Sequence, residues 1–278
     1  MTLSDALHEA ARRIDRRDAS VLLGALLGCN RAFLAAHGAD PIAASHCAQF
    51  AQWVDRRAAG EPVAYITGCR EFYGRPFRVG PATLIPRPET EHLVEQALAR
   101  LSSQKWLERR AQPGVLDLGT GSGAIAITLA LERPACRVTA CDVSPAALAQ
   151  AAENAAALGA RVAWLESDWY AALRDRRFDL IVSNPPYVAE GDPHLSQGDL
   201  RFEPSIALTD RSPDGLASIR RIVAGASRYL AAGGWLLFEH GFDQADAARD
   251  LLLNAGFEDL ICESDLAGIP RVAGGRLG

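Results

Sequence analysis

The chain has 278 residues, of which 49% are hydrophobic, and its formal net charge is -5. This length predicts one large domain or two smaller ones, with enough apolar residues for a core. No apolar run approaches the ~20 residues that span a bilayer, and the acidic balance argues against a surface that neutralises many nucleic-acid phosphates. We therefore expect a soluble cytoplasmic protein that binds neither membrane nor nucleic acid.

The six cysteines and six histidines are scattered along the chain. They show neither CxxC pairs nor the spacing of histidine ligands. Small buried thiols in a reducing compartment explain the cysteines best. We predict no metal site.

The first 60 residues predict helices, because apolar residues recur at helical spacing in SDALHEAARRI, ASVLLGALLG and IAASHCAQFAQWVDRRAAG. From residue 61 to 90, glycines and prolines interrupt short aromatic and branched runs, as in a hairpin or linker. We therefore expect a helical domain over 1–67, a hairpin or linker over 68–88, and a second domain over 89–278.

From residue 113 onward, predicted strands alternate with helices, a pattern typical of a largely parallel sheet covered on both faces. The predicted strands are VLDLG (115–119), RVTACD (137–142), RVAWLESD (161–168), FDLIVSN (178–184), GGWLLFEH (233–240) and FEDLICESD (257–265). The last apolar stretch, PRVAGGRL, is a candidate for a final antiparallel strand. The second domain is thus predicted to be α/β.

A glycine-rich loop, DLGTGSG (117–123), lies between the first of these strands and its helix. Glycines let the backbone approach a ligand, and the helix start offers free N–H groups. Alone, the loop also fits a ligand-free turn or the dinucleotide fingerprint of a dehydrogenase.

Three residues at later strand ends favour a nucleoside site. Asp142 can accept the hydroxyls of a ribose, Asp168 can accept an adenine amino group, and Trp169 can cover its ring. Each alone could be a helix cap or a core residue. Ligands of open α/β sheets bind beyond the carboxyl ends of the strands, so these residues should meet there.

The fourth strand runs into Asn184-Pro185-Pro186-Tyr187, which predicts a stiff, extended loop at the same edge. A planar NH2 group is a poor nucleophile because its lone pair is conjugated. The Asn184 side-chain oxygen and the Pro185 carbonyl can each accept one of its hydrogens, and Tyr187 can stack on it. Such preorganised acceptors contribute several kcal/mol to lowering a barrier. Taken alone, these four residues are explained more simply as a rigid turn without a catalytic role.

DLGTGSG, ACDVS (140–144), SDWY (167–170) and SNPPY (183–187), in this order, resemble the class I S-adenosylmethionine-dependent methyltransferases. The chain is most similar to the release-factor glutamine N5-methyltransferase family, PrmC or HemK. That likeness extends to EPVAYITG (61–68), EFYG (71–74), LIPRPETE (84–91) and DLRFEPSIAL (199–208), and so covers nearly the whole chain.

The resemblance implies a Rossmann-like class I methyltransferase fold with a mostly parallel seven-stranded sheet. A small all-helical domain and a β-hairpin linker would precede it. The cofactor would be S-adenosyl-L-methionine, leaving as S-adenosyl-L-homocysteine. The implied cofactor-binding residues are Gly119, Thr120, Gly121, Ser122, Gly123, Asp142, Asp168, Trp169 and Asn184. The implied substrate-binding residues are Asn184, Pro185, Pro186 and Tyr187, of which Asn184, Pro185 and Tyr187 would be catalytic.

The family's substrate is the glutamine of the GGQ loop in peptide-chain release factors, which makes a release factor the expected partner of a monomeric enzyme. Residues 1–67 would help to grip it. Arg201 and Glu203 match a family segment, but the sequence assigns them no role. His240 stands where the family pattern suggests an aliphatic residue, with an expected effect on packing only.

Three other functions remain open from the sequence. An adenine-N6 methyltransferase acting on DNA or RNA faces the same unreactive amine, but it must flip a base and grip phosphates. A nicotinamide dehydrogenase would use the glycine loop and leave the residues of the fourth strand end unexplained. A nucleoside-binding adaptor would have no need of Asn184.

Overall fold

The computed structural model describes residues 1–102 and 112–278. These residues form two compact units. The first, here called the helical unit, comprises Met1–Cys69 and Ser196–Phe202. The second, here called the sheet unit, comprises the described residues of Arg70–Leu195 and Glu203–Gly278.

The helical unit contains the predicted amphipathic helices and one that the sequence pattern did not indicate. Its helices are α1 (Leu3–Ala10), α2 (Arg16–Leu27), α3 (Arg31–Ala36), α4 (Ala44–Ala58) and α5 (Val63–Thr67). The short helix α5 lies within the predicted helical domain 1–67, in a stretch where no helical spacing of apolar residues was recognised. Pro62 precedes its first residue and Gly68 ends it in the left-handed conformation, with φ 71°. The punctuating proline and glycine are therefore caps of a helix.

The segment Ser196–Phe202 lies far along the chain from the rest of the helical unit but packs with it. Arg57 donates from Nε to Asp18 and from Nη1 to Asp199, each at 2.7 Å. Arg201 donates from Nη2 to the Ala59 carbonyl, just after α4, at 2.6 Å. Arg201 thereby has a structural partner within the helical unit.

The sheet unit opens with a two-stranded sheet and continues with the predicted alternation. The small sheet comprises β1 (Cys69–Phe72) and β2 (Arg75–Arg78). The strands of the main sheet are β3 (Gly114–Leu118), β4 (Arg137–Asp142), β5 (Val162–Glu166), β6 (Phe178–Ser183), β7 (Leu230–Glu239), β8 (Phe257–Ser264) and β9 (Pro270–Leu277). The helices are α6 (Thr90–Leu101), α7 (Ala124–Glu132), α8 (Pro145–Leu158), α9 (Ser205–Leu208), α10 (Ala217–Tyr229) and α11 (Ala245–Asn254).

Within the described residues, the main sheet has seven strands in the order β5-β4-β3-β6-β7-β9-β8. The pairs from β5 to β7 are parallel, and β9 is antiparallel to both of its neighbours. This confirms the predicted fold class, including the antiparallel last strand. That strand inserts between β7 and β8.

Two apolar layers cover the main sheet. One contains the buried face of α10 and α11, and the other contains residues of α6 and α7. Every residue of β3 is buried, as expected for a central parallel strand. None of the helices in the two described ranges is long and apolar enough to cross a membrane.

Strand β7 begins earlier than the sequence predicts. Leu230-Ala231-Ala232 has high helix propensity and follows a helical pattern. In the structure α10 ends at Tyr229, and Leu230 pairs with Phe178 of β6. Pairing with the sheet therefore overrides local propensity here.

Candidate functional site

A cavity of about 520 Å³ opens in the sheet unit, next to the carboxyl ends of β3, β4 and β6. Its size falls within the ordinary range for small-molecule sites. Its lining includes these residues predicted from the sequence: Gly119, Thr120, Gly121, Ser122, Asp142, Asp168, Trp169, Asn184 and Pro186. It also includes residues for which no site role was predicted, among them Arg87, Thr90, Ile206, Asp210 and Arg221.

Three predicted residues are not among those that line the cavity: Gly123, Pro185 and Tyr187. Gly123 has φ 83° and precedes α7. A Cβ atom on it would lie 2.8 Å from Ile127 Cδ1, closer than real Cβ contacts allow. This glycine lets the start of α7 pack closely.

The glycine loop turns back over the end of β4. The N–H groups of Gly119 and Thr120 both donate to the Cys141 carbonyl, at 2.9 and 3.0 Å. Gly119 has φ 71°, and a Cβ atom there would lie 3.6 Å from the Trp169 ring. The loop conformation therefore requires glycine.

Asp142 joins the glycine loop to the start of α8. One carboxylate oxygen accepts from the Gly121 N–H and the other from the Ser144 N–H, both at 2.9 Å. A carboxylate has about four acceptor positions, so these donors leave room for a hydroxyl group of a ligand. Burial raises the pKa of Asp142, against the lowering effect of these N–H donors.

Asp117, at the end region of β3, is a second buried carboxylate under the loop. It is inaccessible to solvent and accepts the Thr120 hydroxyl at 2.6 Å. Burial raises the pKa of Asp117 to about 7, and the Thr120 hydroxyl opposes this rise.

Trp169 follows β5 in an uncommon backbone conformation, with φ 51°. A non-glycine residue in this region stores about 1–3 kcal/mol of strain, which the surroundings must offset. The Ser167 hydroxyl donates to the Trp169 carbonyl at 2.8 Å. Its neighbour Asp168 is half-exposed and pairs with Arg221 at 2.7 Å. An indole ring and a carboxylate therefore meet at the rim of the cavity.

Asn184 follows β6 at the cavity wall and is held through its amide nitrogen. Asn184 Nδ2 donates to Thr90 Oγ1 at 3.0 Å, and the Thr90 hydroxyl donates to Glu239 Oε2 at 2.6 Å. The Tyr187 hydroxyl donates to the other oxygen of Glu239 at 3.0 Å. Two residues of the Asn184–Tyr187 loop are thus connected to the buried Glu239, Tyr187 directly and Asn184 through Thr90.

Thr90 and Glu239 were not predicted as site residues. Glu239 is 1% exposed and ends β7, and burial raises its pKa. The available signal was a carboxylate at a further strand end, in the FEH run of β7. The next residue, His240, is fully buried, and burial lowers its pKa. His240 is therefore a core residue, in line with the expected effect on packing.

Glu203, which the sequence left without a role, is also buried. Its carboxylate accepts the Ile85 N–H at 2.9 Å and pairs with Arg87. Leu84, Pro86 and Arg87 line the cavity. Glu203 therefore braces one wall of the cavity from behind.

The arrangement fits a nucleoside that carries a small polar tail. The backbone of the glycine loop allows close approach, Asp142 retains free acceptor positions, and Trp169 presents an apolar ring. Asn184 lies on the same cavity, so a planar amide brought there would meet the bound cofactor. These residues could hold a cofactor of that shape.

Two family models match separate parts of the chain. Residues 2–68 match the PrmC N-terminal domain model, and residues 96–199 match the methyltransferase small domain model.

Curated relatives match almost the whole chain. The release factor glutamine methyltransferase of Bordetella pertussis is 54% identical over 265 residues, covering 95% of this chain and 96% of the relative. The protein of the same name from Escherichia coli is 46% identical over 262 residues, with coverages of 94% and 92%.

Among solved structures, the T. thermophilus 16S rRNA N2 G1207 methyltransferase (RsmC), in complex with AdoMet and guanosine, superposes with a TM-score of 0.56. It is 21% identical, and the match covers 76% of this chain and 50% of that chain. At this identity the likeness supports the fold alone.

Proposed function

Because this chain belongs to the release factor glutamine methyltransferase family, we propose that it methylates the side-chain amide nitrogen of a glutamine in a release factor. The observation that carries this proposal is the orientation of Asn184. Asn184 Nδ2 donates a hydrogen bond to Thr90, which leaves the Asn184 side-chain oxygen free to accept a substrate N–H. The segment GGQ of a release factor is the proposed target.

S-adenosyl-L-methionine, when bound, supplies an activated methyl group on a sulfonium. The loop from Gly119 to Gly123, with Asp142, Asp168 and Trp169, is proposed to hold this cofactor. The Asn184 oxygen and the Pro185 carbonyl are proposed to accept the two amide hydrogens of the glutamine. This orients the nitrogen and increases its electron density, and it places fixed dipoles where charge develops during transfer.

Methyl transfer at this site needs no general base beforehand, because the amide proton can leave after the new N–C bond has formed. Pro186 has no N–H and cannot compete for the acceptor carbonyls. The Tyr187 hydroxyl is held by Glu239, so the position of its ring is restrained from behind. The loop thus acts by orientation and hydrogen bonding.

The proposed substrate places the reaction in the cytoplasm, where release factors act, with the chain working as a monomer. The helical unit, which includes residues 1–67, is proposed to contribute to binding of the release factor.

The test is incubation of the purified chain with isotope-labelled S-adenosylmethionine and a purified bacterial release factor. We expect one added methyl group on the GGQ peptide, located on the glutamine side chain by tandem mass spectrometry. A release factor with alanine in place of that glutamine is the matched control and should remain unlabelled.

Duplex DNA and RNA of mixed sequence should be included as parallel substrates. Label in adenine, with none in the release factor, would replace the proposal by the adenine-N6 alternative. Equal labelling of the alanine control would show that another residue is the acceptor.

A further inference from the structure

The hydrogen bonds behind the cavity form a continuous chain of four side chains. They run from Asn184 to Thr90, from Thr90 to Glu239, and from Tyr187 to Glu239. Thr90 is 4% exposed and Glu239 is 1% exposed. Water therefore does not compete for these partners, and the direction of each bond matters.

The direction of the chain follows from the number of protons available. A carboxylate oxygen that receives a hydroxyl proton is the acceptor of that bond, and a hydroxyl has a single proton to donate. Thr90 and Tyr187 both direct their protons to Glu239. The Thr90 oxygen can then only accept, and so the group of Asn184 that faces it must be the NH2.

The consequence concerns the other end of the Asn184 amide. Its oxygen and nitrogen have similar shapes, so the side chain could turn over at little steric cost. With the nitrogen bound to Thr90, the oxygen is the polar end available to the cavity that Asn184 lines. A reversed amide would present an NH2 group, which cannot accept a hydrogen from a substrate amide.

Resting on the proposed function, we propose that Thr90 and Glu239 are positioning residues for methyl transfer. They hold Asn184 with its oxygen toward the substrate and restrain Tyr187 through its hydroxyl. Neither touches the reacting atoms in this role. Their contribution is the orientation of the acceptor before the substrate arrives, and such preorganisation lowers a barrier without strengthening cofactor binding.

The decisive pair of variants is Thr90→Val and Thr90→Ser. Valine keeps the shape of threonine and lacks the hydroxyl, while serine keeps the hydroxyl. We expect kcat toward the release factor to fall about 100-fold in Thr90→Val, the scale of a misoriented reacting group. Cofactor affinity should stay within about twofold of wild type, and Thr90→Ser should recover most of kcat.

Thr128→Val is the matched control. Thr128 is also fully buried, and its hydroxyl has no hydrogen-bond partner among the described residues. It lies on α7 and takes no part in the chain of hydrogen bonds. This variant should have wild-type kcat.

A measurement independent of turnover is the 15N-1H spectrum of the side-chain amides, with the Asn184 signal assigned from an Asn184→Ala spectrum. Its NH2 protons should exchange slowly with solvent in wild type and in Thr90→Ser, and faster in Thr90→Val. Slow exchange retained in Thr90→Val would overturn the inference.

If Thr90→Val does not fold, Glu239→Gln provides the same test. Glutamine has one acceptor oxygen, so the Thr90 or the Tyr187 hydroxyl loses its acceptor, and kcat should fall with cofactor affinity retained. Wild-type kcat in either folded variant would disprove the positioning role. A wild-type protein unable to label the release factor would instead disprove the proposed function, which separates the two failures.

Discussion

The two halves of the cavity, the proposed cofactor side and the proposed substrate side, are built in different ways, although a buried carboxylate lies behind each of them. On the cofactor side, Asp117 accepts from Thr120, only three residues along the chain. On the substrate side, Glu239 accepts from Tyr187 and Thr90, which are 52 and 149 residues away. The cofactor side thus joins successive strand ends that are near one another along the chain, whereas the substrate side joins more distant segments.

Because of this difference, cofactor binding and methyl transfer can be tested separately. The backbone of the glycine loop is held by hydrogen bonds to Cys141 and Asp142 at the end of β4, and it can be tested through affinity and stability. The orientation of Asn184 depends on side chains of α6 and β7 and can be tested through turnover. Changes on the two sides should therefore affect different measured quantities.

The largest expected effect is on the substrate side. Asn184→Ala removes the proposed acceptor and should lower kcat by about 10²–10³-fold, as loss of one preorganised hydrogen-bonding group does in other enzymes. Cofactor affinity, measured by calorimetry, should persist. Asn254→Ala, at the exposed end of α11, is the matched control. Normal turnover by Asn184→Ala would contradict the proposed mechanism.

On the cofactor side, Asp142→Ala should change cofactor affinity, the quantity that Asn184→Ala leaves unchanged. The variant loses a proposed acceptor for the ribose, and the Gly121 and Ser144 N–H groups lose their partner. Cofactor binding should weaken by about 1–3 kcal/mol, the scale of hydrogen bonds to a charged group. Asp250→Ala removes the same charge from an exposed position on α11 and should leave affinity unchanged. Unchanged affinity in Asp142→Ala would remove Asp142 from the site.

The buried carboxylate under the glycine loop predicts a dependence of stability on pH. The folded chain raises the pKa of Asp117 from 3.8 to about 7, so between these values the folded state holds a proton that the unfolded state has lost. The stabilising contribution is complete below pH 3.8 and is lost as pH rises through about 7. Asp117 should therefore lower the free energy of unfolding by up to about 1.4 kcal/mol per pH unit across this window.

Asp117→Asn removes this titration and keeps an oxygen for the Thr120 hydroxyl. Denaturant unfolding at several pH values should show the variant gaining stability relative to wild type as pH rises through the window. Parallel curves for the two proteins would mean that Asp117 does not titrate there.

Local pattern was sufficient to predict most of the fold and most of the residues that line the proposed cofactor side of the cavity. The alternation of strands and helices predicted β3 to β6 within a few residues, because each apolar run and its turn residues are adjacent in sequence. The strand-end acids could be recognised for the same reason. The position of β9 between β7 and β8 could not, since strand order depends on packing across the sheet.

The substrate side could be predicted from local sequence only in part. Asn184 could be identified, because two prolines after an apolar strand are a local signal. Its partner Thr90, and Glu239, to which Thr90 donates, lie in separate motifs. No periodicity encodes a hydrogen bond between residues 94 apart, as Thr90 and Asn184 are. Glu203 was left without a role for the same reason, since its partner Ile85 is 118 residues away.

The smallest expected effect is at the exposed rim of the cofactor side, where Asp168 pairs with Arg221 at 2.7 Å. Their side chains are 55% and 56% exposed, so solvent and salt screen the pair. Arg221→Ala should change the free energy of unfolding by less than about 1 kcal/mol, as exposed ion pairs do. It should also leave cofactor affinity almost unchanged, because Asp168 keeps its acceptor oxygens. Titration calorimetry at low and high salt would check this, and a loss comparable to that of Asp142→Ala would show that Arg221 is part of the binding site.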